Sequence, residues 1–147
     1  MLTLAALVAT LACAIFAGAA IYINVAEHPA RLECGTELAA TVFGPSYKRA
    51  AKMQASLAII ATVSAVAAWG LGGGLAWLLG AGLIFVVVPF TVKVIMGTNK
   101  QLLDPDRDRA SDETRQLLLR WGRLHSVRSV LSLVATVLFI VLLTNLP

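Results

Sequence analysis

The chain has 147 residues, of which 59% are hydrophobic and only 14% charged, and its mean hydropathy is +0.82. A soluble domain of this length carries far more charge, about a quarter of its residues, so a water-soluble globular fold is excluded. The net charge of +4 argues against a nucleic-acid partner, because the basic residues flank apolar runs and alternate with acids.

Four apolar runs account for the composition: Leu2–Val25, Ala50–Gly70, Leu75–Gly97 and Leu124–Leu146. Each is near the roughly 20 residues that cross a bilayer as a helix. Helices are required because each backbone amide must find its partner within its own segment. The expected fold is all-α, an integral membrane four-helix bundle formed by residues 1–147 as one domain. The first run is read as a span and not as a signal peptide, since no Lys or Arg precedes Arg31 and the run exceeds a signal core.

All 12 Lys and Arg and all 8 acids lie in or beside two zones, Arg31–Lys52 and Lys93–Arg128. The positive-inside rule then places both loops in the cytoplasm and both termini outside, with a bacterial inner membrane as the expected setting. Two cysteines, Cys13 and Cys34, fall at opposite depths without a Cys-x-x-Cys and read as ordinary thiols.

In chain order, the first run carries Ala17-Gly18-Ala19-Ala20, small residues that let helices approach closely. Asn24 and His28 follow one turn apart on one face, with Glu27 beside them. Pro29 either ends the span or opens a new helix at its first position. Ala30–Phe43 reads as a short interfacial helix, broken by Gly44-Pro45. Tyr47, Lys48, Arg49 and Lys52 open the second span, and the deeper Gln54 reads as an inter-helix hydrogen bond. Trp69 marks the outer interface, and Gly70-Leu71-Gly72-Gly73-Gly74 is a tight turn that makes spans two and three antiparallel neighbours. Pro89 should kink the third span. Lys93 follows a turn later, snorkelling or paired, and Asn99-Lys100 closes the span. Ser111 is the expected N-cap of the last helix, without a capping box. That helix, about 50 Å long at 1.5 Å per residue, should protrude into the cytoplasm.

The strong polar residues gather at the charged end. Trp121, His125 and Arg128 share one helical face, continued inward by Ser132 and Thr136. Ionisable groups in a membrane helix are costly unless they meet partners or water, so they mark a candidate pocket. Each residue also has a plainer reading. The histidines can be hydrogen-bonded interface residues, Trp121 an interfacial anchor, and Glu27 the ion-pair partner of Arg31 or Arg128. A metal set of His28, His125 and Glu27, or a haem between the two histidines, has only shared depth behind it.

The segments Asn24-Val-Ala-Glu27-His28-Pro29-Ala-Arg31, Tyr47-Lys48-Arg49, Pro89-Phe90-Thr91 with Asn99-Lys100, and Arg120-Trp121-Gly-Arg-Leu-His125-Ser-Val-Arg128 resemble the anthrone-oxygenase-like membrane proteins over nearly the whole chain. The resemblance implies oxidation of an anthrone by molecular oxygen without a cofactor. His28 or His125 would be the base, Arg128, Lys93 or Asn99 the oxyanion stabiliser, and Trp121 and Tyr47 the ring platforms. Glu27 would orient a histidine, and Asn24 would complete the substrate-binding set. The expected partners are a hydrophobic small molecule or lipid and the membrane, with a homo-oligomer left open. Two other readings stay open: a non-catalytic subunit or lipid- or quinone-binding module, and a haem or metal protein.

Overall fold

A computed structural model describes residues 1–146. The described residues form helices only, with no strand. The elements are α1 (Leu2–Tyr22), α2 (His28–Glu33), α3 (Thr36–Ala68), α4 (Ala76–Phe85), α5 (Val87–Phe90), α6 (Met96–Leu102) and α7 (Asp112–Thr144). Wide π turns at Ile23–Glu27, Trp69–Gly73 and Thr91–Ile95 join or extend them. Together they make four helices long and apolar enough to cross a membrane: Leu2–Glu33, Thr36–Gly73, Ala76–Leu102 and Asp112–Thr144.

The spans pack as a four-helix ring. The first contacts the second and fourth, and the third contacts the same two from the other side. The sequence reason is a seam repeating every three and four residues. In α1 the buried positions include Ala6, Ala9, Cys13, Phe16 and Ala20; in α3 they are Gln54, Ala58, Ala61, Ala65 and Ala68; in α7, Leu118, Trp121, His125, Arg128, Ser132, Ala135 and Phe139. This is the spacing of knobs-into-holes packing, and alanine in two of the three seams allows close approach where lipid gives no hydrophobic drive. Gly80 belongs to the same device, because the Phe139 ring occupies the space its Cβ would need. Outward residues such as Leu4, Leu11, Ile59, Val63, Leu79 and Val130 are exposed and apolar, as a lipid-facing surface requires.

Of the two readings of Pro29, the structure takes the second, a new helix, and two other boundaries differ from the sequence reading. Pro29 lies in the first turn of α2, where its missing N–H is harmless, and the helix runs on to Glu33. The second helix begins at Thr36 and passes through Gly44-Pro45 unbroken. The stretch expected to lie on the interface is the lower end of this span. Ala39, Ala40 and Phe43 are buried against Ile95, Leu102, Leu117, Leu118 and Trp121, so its apolar side is covered by protein rather than lipid. Gly35, with φ 97°, makes the reversal between the first two spans in a conformation only glycine takes readily.

The Gly-rich turn between the second and third spans is present, with Gly72 and Gly74 at φ 94° and 91°. Beyond Pro89 the third span continues as the π turn Thr91–Ile95. Ser111 caps α7, its Oγ accepting from the Thr114 N–H at 3.2 Å.

Candidate functional site

The polar layer lies between two apolar clusters, one filling the half of the bundle away from the charged loops and one closing the charged end. Its centre is Asn24, inside the π turn of the first span. Such a turn adds one residue to the helix and re-aims the side chains around it. The Asn24 amide is fixed by three bonds. Nδ2 donates to the Gly122 carbonyl at 3.0 Å, while Oδ1 accepts from Ser129 Oγ at 2.7 Å and faces His125 Nδ1 at 2.7 Å. A carbonyl can only accept, so the Gly122 contact sets which end of the amide is which. His125 Nδ1 must then carry the proton. The ring is left with an unprotonated Nε2, which has no hydrogen-bond partner among the described residues.

His28 is held in the opposite sense. Its Nε2 donates to the Leu118 carbonyl at 3.0 Å. Its ring lies against Gly122, where a Cβ would come within 2.8 Å of two ring atoms, so residue 122 must be small. Between the two histidines sits Trp121. It stacks on His125 at 4.7 Å, tilts against His28 at 5.2 Å and meets Phe43 edge-on at 5.2 Å. Trp121 Nε1 donates to Asn99 Oδ1 at 2.9 Å, and Asn99 Nδ2 donates to Tyr47 Oη at 3.0 Å. Tyr47 stacks on Phe43. Trp121 is therefore a buried member of the cluster, not an interfacial anchor.

Arg128 lies one turn deeper. It is 9% exposed, donates from Nη2 to Gln54 Oε1 at 2.6 Å, and its guanidinium carbon is 5.5 Å from the Phe16 ring centre. The ion pairs among the described residues are Arg31–Glu27 and Arg107–Glu113, so no carboxylate neutralises Arg128. A cavity of about 20 Å³, room for roughly one water, is bordered by Tyr47, Gln54, Trp121, His125 and Arg128. A second, of about 190 Å³, adjoins it through Tyr47, Ala51, Gln54 and Arg128.

Comparison with known proteins fits this arrangement. The family model for anthrone oxygenase matches residues 43–138, from Phe43 past Arg128. The chain belongs to the anthrone oxygenase family. A relative, Anthrone oxygenase tpcL of Aspergillus fumigatus, is 32% identical over 127 residues, covering 79% of this chain and 78% of the relative. No solved structure matches the chain.

Of the residues singled out from sequence, this anthrone oxygenase family member brings Asn24, His28, Tyr47, Asn99, Trp121, His125 and Arg128 together. Lys93 does not join them. It is exposed in the π turn Thr91–Ile95, whose buried residue is Ile95. Glu27 orients no histidine. It accepts from Ser46 Oγ at 2.9 Å and pairs with Arg31 at 3.5 Å, and Arg128 bonds to Gln54 instead of Glu27. The His28–His125–Glu27 set is not assembled: no group of three or more His, Cys, Asp or Glu side chains is placed to hold a metal ion among the described residues. Sequence reading passed over Phe43, Ser129 and Gly122 and gave Gln54 only a structural part. Gly122 carried a usable signal, as the one small residue between Trp121 and His125.

Proposed function

We propose that the protein is a membrane-embedded oxygenase that converts an anthrone-like substrate to the corresponding quinone, with His125 as general base. The observation that carries this reading is the His125 ring, held by Asn24 with an unprotonated Nε2 at the edge of a cavity that also reaches Arg128.

The chemistry is balanced by oxygen alone. His125 Nε2 takes a proton from the acidic methylene, and the electron pair delocalises onto the ring-carbonyl oxygen. Arg128 stabilises that oxyanion, as donors aimed at developing charge do. The carbanion gives its electrons to molecular oxygen, and a carbon–oxygen bond forms. The peroxide takes back the first proton from His125, and loss of the second methylene proton, which goes to the departing oxygen, then breaks the oxygen–oxygen bond. One oxygen atom stays as the new carbonyl and the other leaves as water. Trp121 and Tyr47 border the ring, and Asn99 couples the two. His28, whose Nε2 is engaged by Leu118, supports Trp121 rather than acting as the base. The charged end, and so this site, is proposed to face the cytoplasm.

The test is oxygen consumption by the purified protein with emodin anthrone in detergent. His125→Ala should lower the rate by about 10²–10⁴-fold, the range for a lost general base. His28→Ala should cost less. Arg128→Lys should also slow turnover, because a point charge replaces a planar fork. Equal rates for wild type, His125→Ala and buffer would refute the oxygenase reading.

A further inference from the structure

Arg128 and Gln54 pose a problem that the protein does not solve by itself. Gln54 is 1% exposed, yet its Nε2 has no hydrogen-bond partner among the described residues, and neither does the buried Nε of Arg128. Gln54 spends its only acceptor on Arg128. Two donors are thus left over on one bonded pair of side chains, one of them on an un-neutralised cation, whereas the third such donor among the described residues, Trp77 Nε1, stands alone in the apolar cluster. In hydrocarbon, orphan donors are costly and an unpaired charge more so. Groups left in that state belong with a partner that arrives from outside and brings a negative oxygen.

The 190 Å³ cavity shows where it comes from. It lies between the second and third spans, walled by Ala51, Ala55 and Ala58 on one side and Val88, Thr91 and Val92 on the other. Ala55, Val88 and Val92 are exposed on the flank of the bundle, so the cavity opens sideways toward lipid. Gln54 and Arg128 stand at its inner end, where it meets the smaller cavity beside His125. The two spans pack closely along α4 and much less along α5 and α6. Three alanines a turn apart leave a slot with apolar walls. An acyl chain would fill it without offering an acceptor to the donors. A phosphate headgroup would bring more acceptor oxygens than the slot can meet, since Arg128 is the one charged side chain among the described residues that line it.

We infer that this slot is the substrate's entry from the bilayer, and that the Gln54 amide and the Arg128 guanidinium at its inner end hold the anionic oxygen of a flat, apolar ring molecule. The inference rests on the proposed oxygenase reading and deepens it. Gln54 becomes a substrate-positioning residue, and the ring arrives beside Arg128 without crossing the aqueous loops.

The experiment is a binding titration that needs no turnover. A β-hydroxyanthraquinone, whose phenolate has its own visible band, is titrated into detergent-solubilised protein at a pH where the free dye is neutral. Its methyl ether is the control. Wild type should bind the dye as phenolate and the ether at least about tenfold more weakly, the scale of a hydrogen bond to a charged group. Gln54→Glu supplies Arg128 with a built-in carboxylate. It should lose phenolate binding by about 10–100-fold while melting no lower than wild type. Ala55→Trp, on the exposed flank, should close the slot to dye and ether alike. Wild-type binding by both variants would overturn the inference, as would displacement of the dye by equimolar phosphatidylglycerol. A protein that consumes oxygen with an anthrone but ignores both substitutions retains the oxygenase reading and loses this one. A protein that binds dye in the expected pattern without turnover does the reverse.

Discussion

Asn24 holds the site in one protonation pattern, and removing it should be visible at three levels. It makes one bond to the Gly122 carbonyl, one to Ser129 and one to His125. Interhelical hydrogen bonds in membrane bundles average about 0.6 kcal/mol and reach about 1.7 kcal/mol. Three of them on one side chain put Asn24→Leu at about 2–5 kcal/mol of lost stability. The melting temperature in detergent should fall by about 2–4 °C for each kcal/mol. The chemical level is sharper. The chain has 2 histidines, so the ring-nitrogen spectrum of isotope-labelled protein has two spin systems. His125 should appear as the Nδ1–H form and His28 as the Nε2–H form. Asn24→Leu should move His125 alone, by freeing its Nδ1–H, and leave His28 on Leu118. Turnover should fall by about 10²-fold, the scale of a base misplaced by an ångström. Both rings in the same form in wild type, or an unchanged His125 signal in the variant, would defeat the assignment of His125 as base.

Other substitutions test neighbouring parts. Gly122→Ala puts a methyl 2.8 Å from the His28 ring, and as overpacking it should cost about 1–3 kcal/mol, read as a lower melting temperature. His28→Ala in that background should recover part of the loss by removing the clash. Gly80→Ala, which drives a methyl into the Phe139 ring far from the polar layer, should destabilise to a similar degree without altering the His125 signal. For orientation, Leu71→Cys and Asp106→Cys in a Cys34→Ser background should label from outside and from the cytoplasm respectively. The reverse pattern would invert the topology and leave the bundle intact.

The four spans were legible because the bilayer admits few solutions: an apolar run near twenty residues long must be helical and must cross. The local breakers were less reliable. Gly44-Pro45 reads as a stop, since proline in a helix interior frees a carbonyl and costs about 3 kcal/mol. Here the helix survives because Ala39, Ala40 and Phe43 on the near side of the proline are buried against the third and fourth spans. Breaking at Pro45 would forfeit that contact. The freed carbonyl belongs to Thr41, an exposed residue at the charged end, where water can satisfy it. Tertiary packing overrode a local rule, and no single-segment pattern contains that information.

The site divides in the same way. Trp121, His125 and Arg128 could be grouped from sequence because α7 is regular and their spacing fixes a common face. Lys93 could not be placed, because it lies in a π turn and counting at 3.6 residues per turn fails across the added residue. Glu27 pairs with Arg31, one of the two ion-pair partners its sequence position offered, and not with a histidine, because proximity along the chain does not by itself choose among them. Gln54 is the instructive case. Its seam is otherwise alanine, at Ala58, Ala61, Ala65 and Ala68, in alternating steps of three and four. An amide at the head of an alanine seam is where a close-packed interface gives up an apolar contact for a polar one. An inter-helix hydrogen bond is the usual reason for that exchange, and Gln54, 1% exposed, makes one to Arg128. The exchange becomes intelligible once Arg128 is placed opposite, with no carboxylate to neutralise it. A residue that merely satisfied Arg128 would be a glutamate. A glutamine leaves the positive charge standing and adds a donor of its own, which is the arrangement required by a site whose negative charge arrives with the ligand.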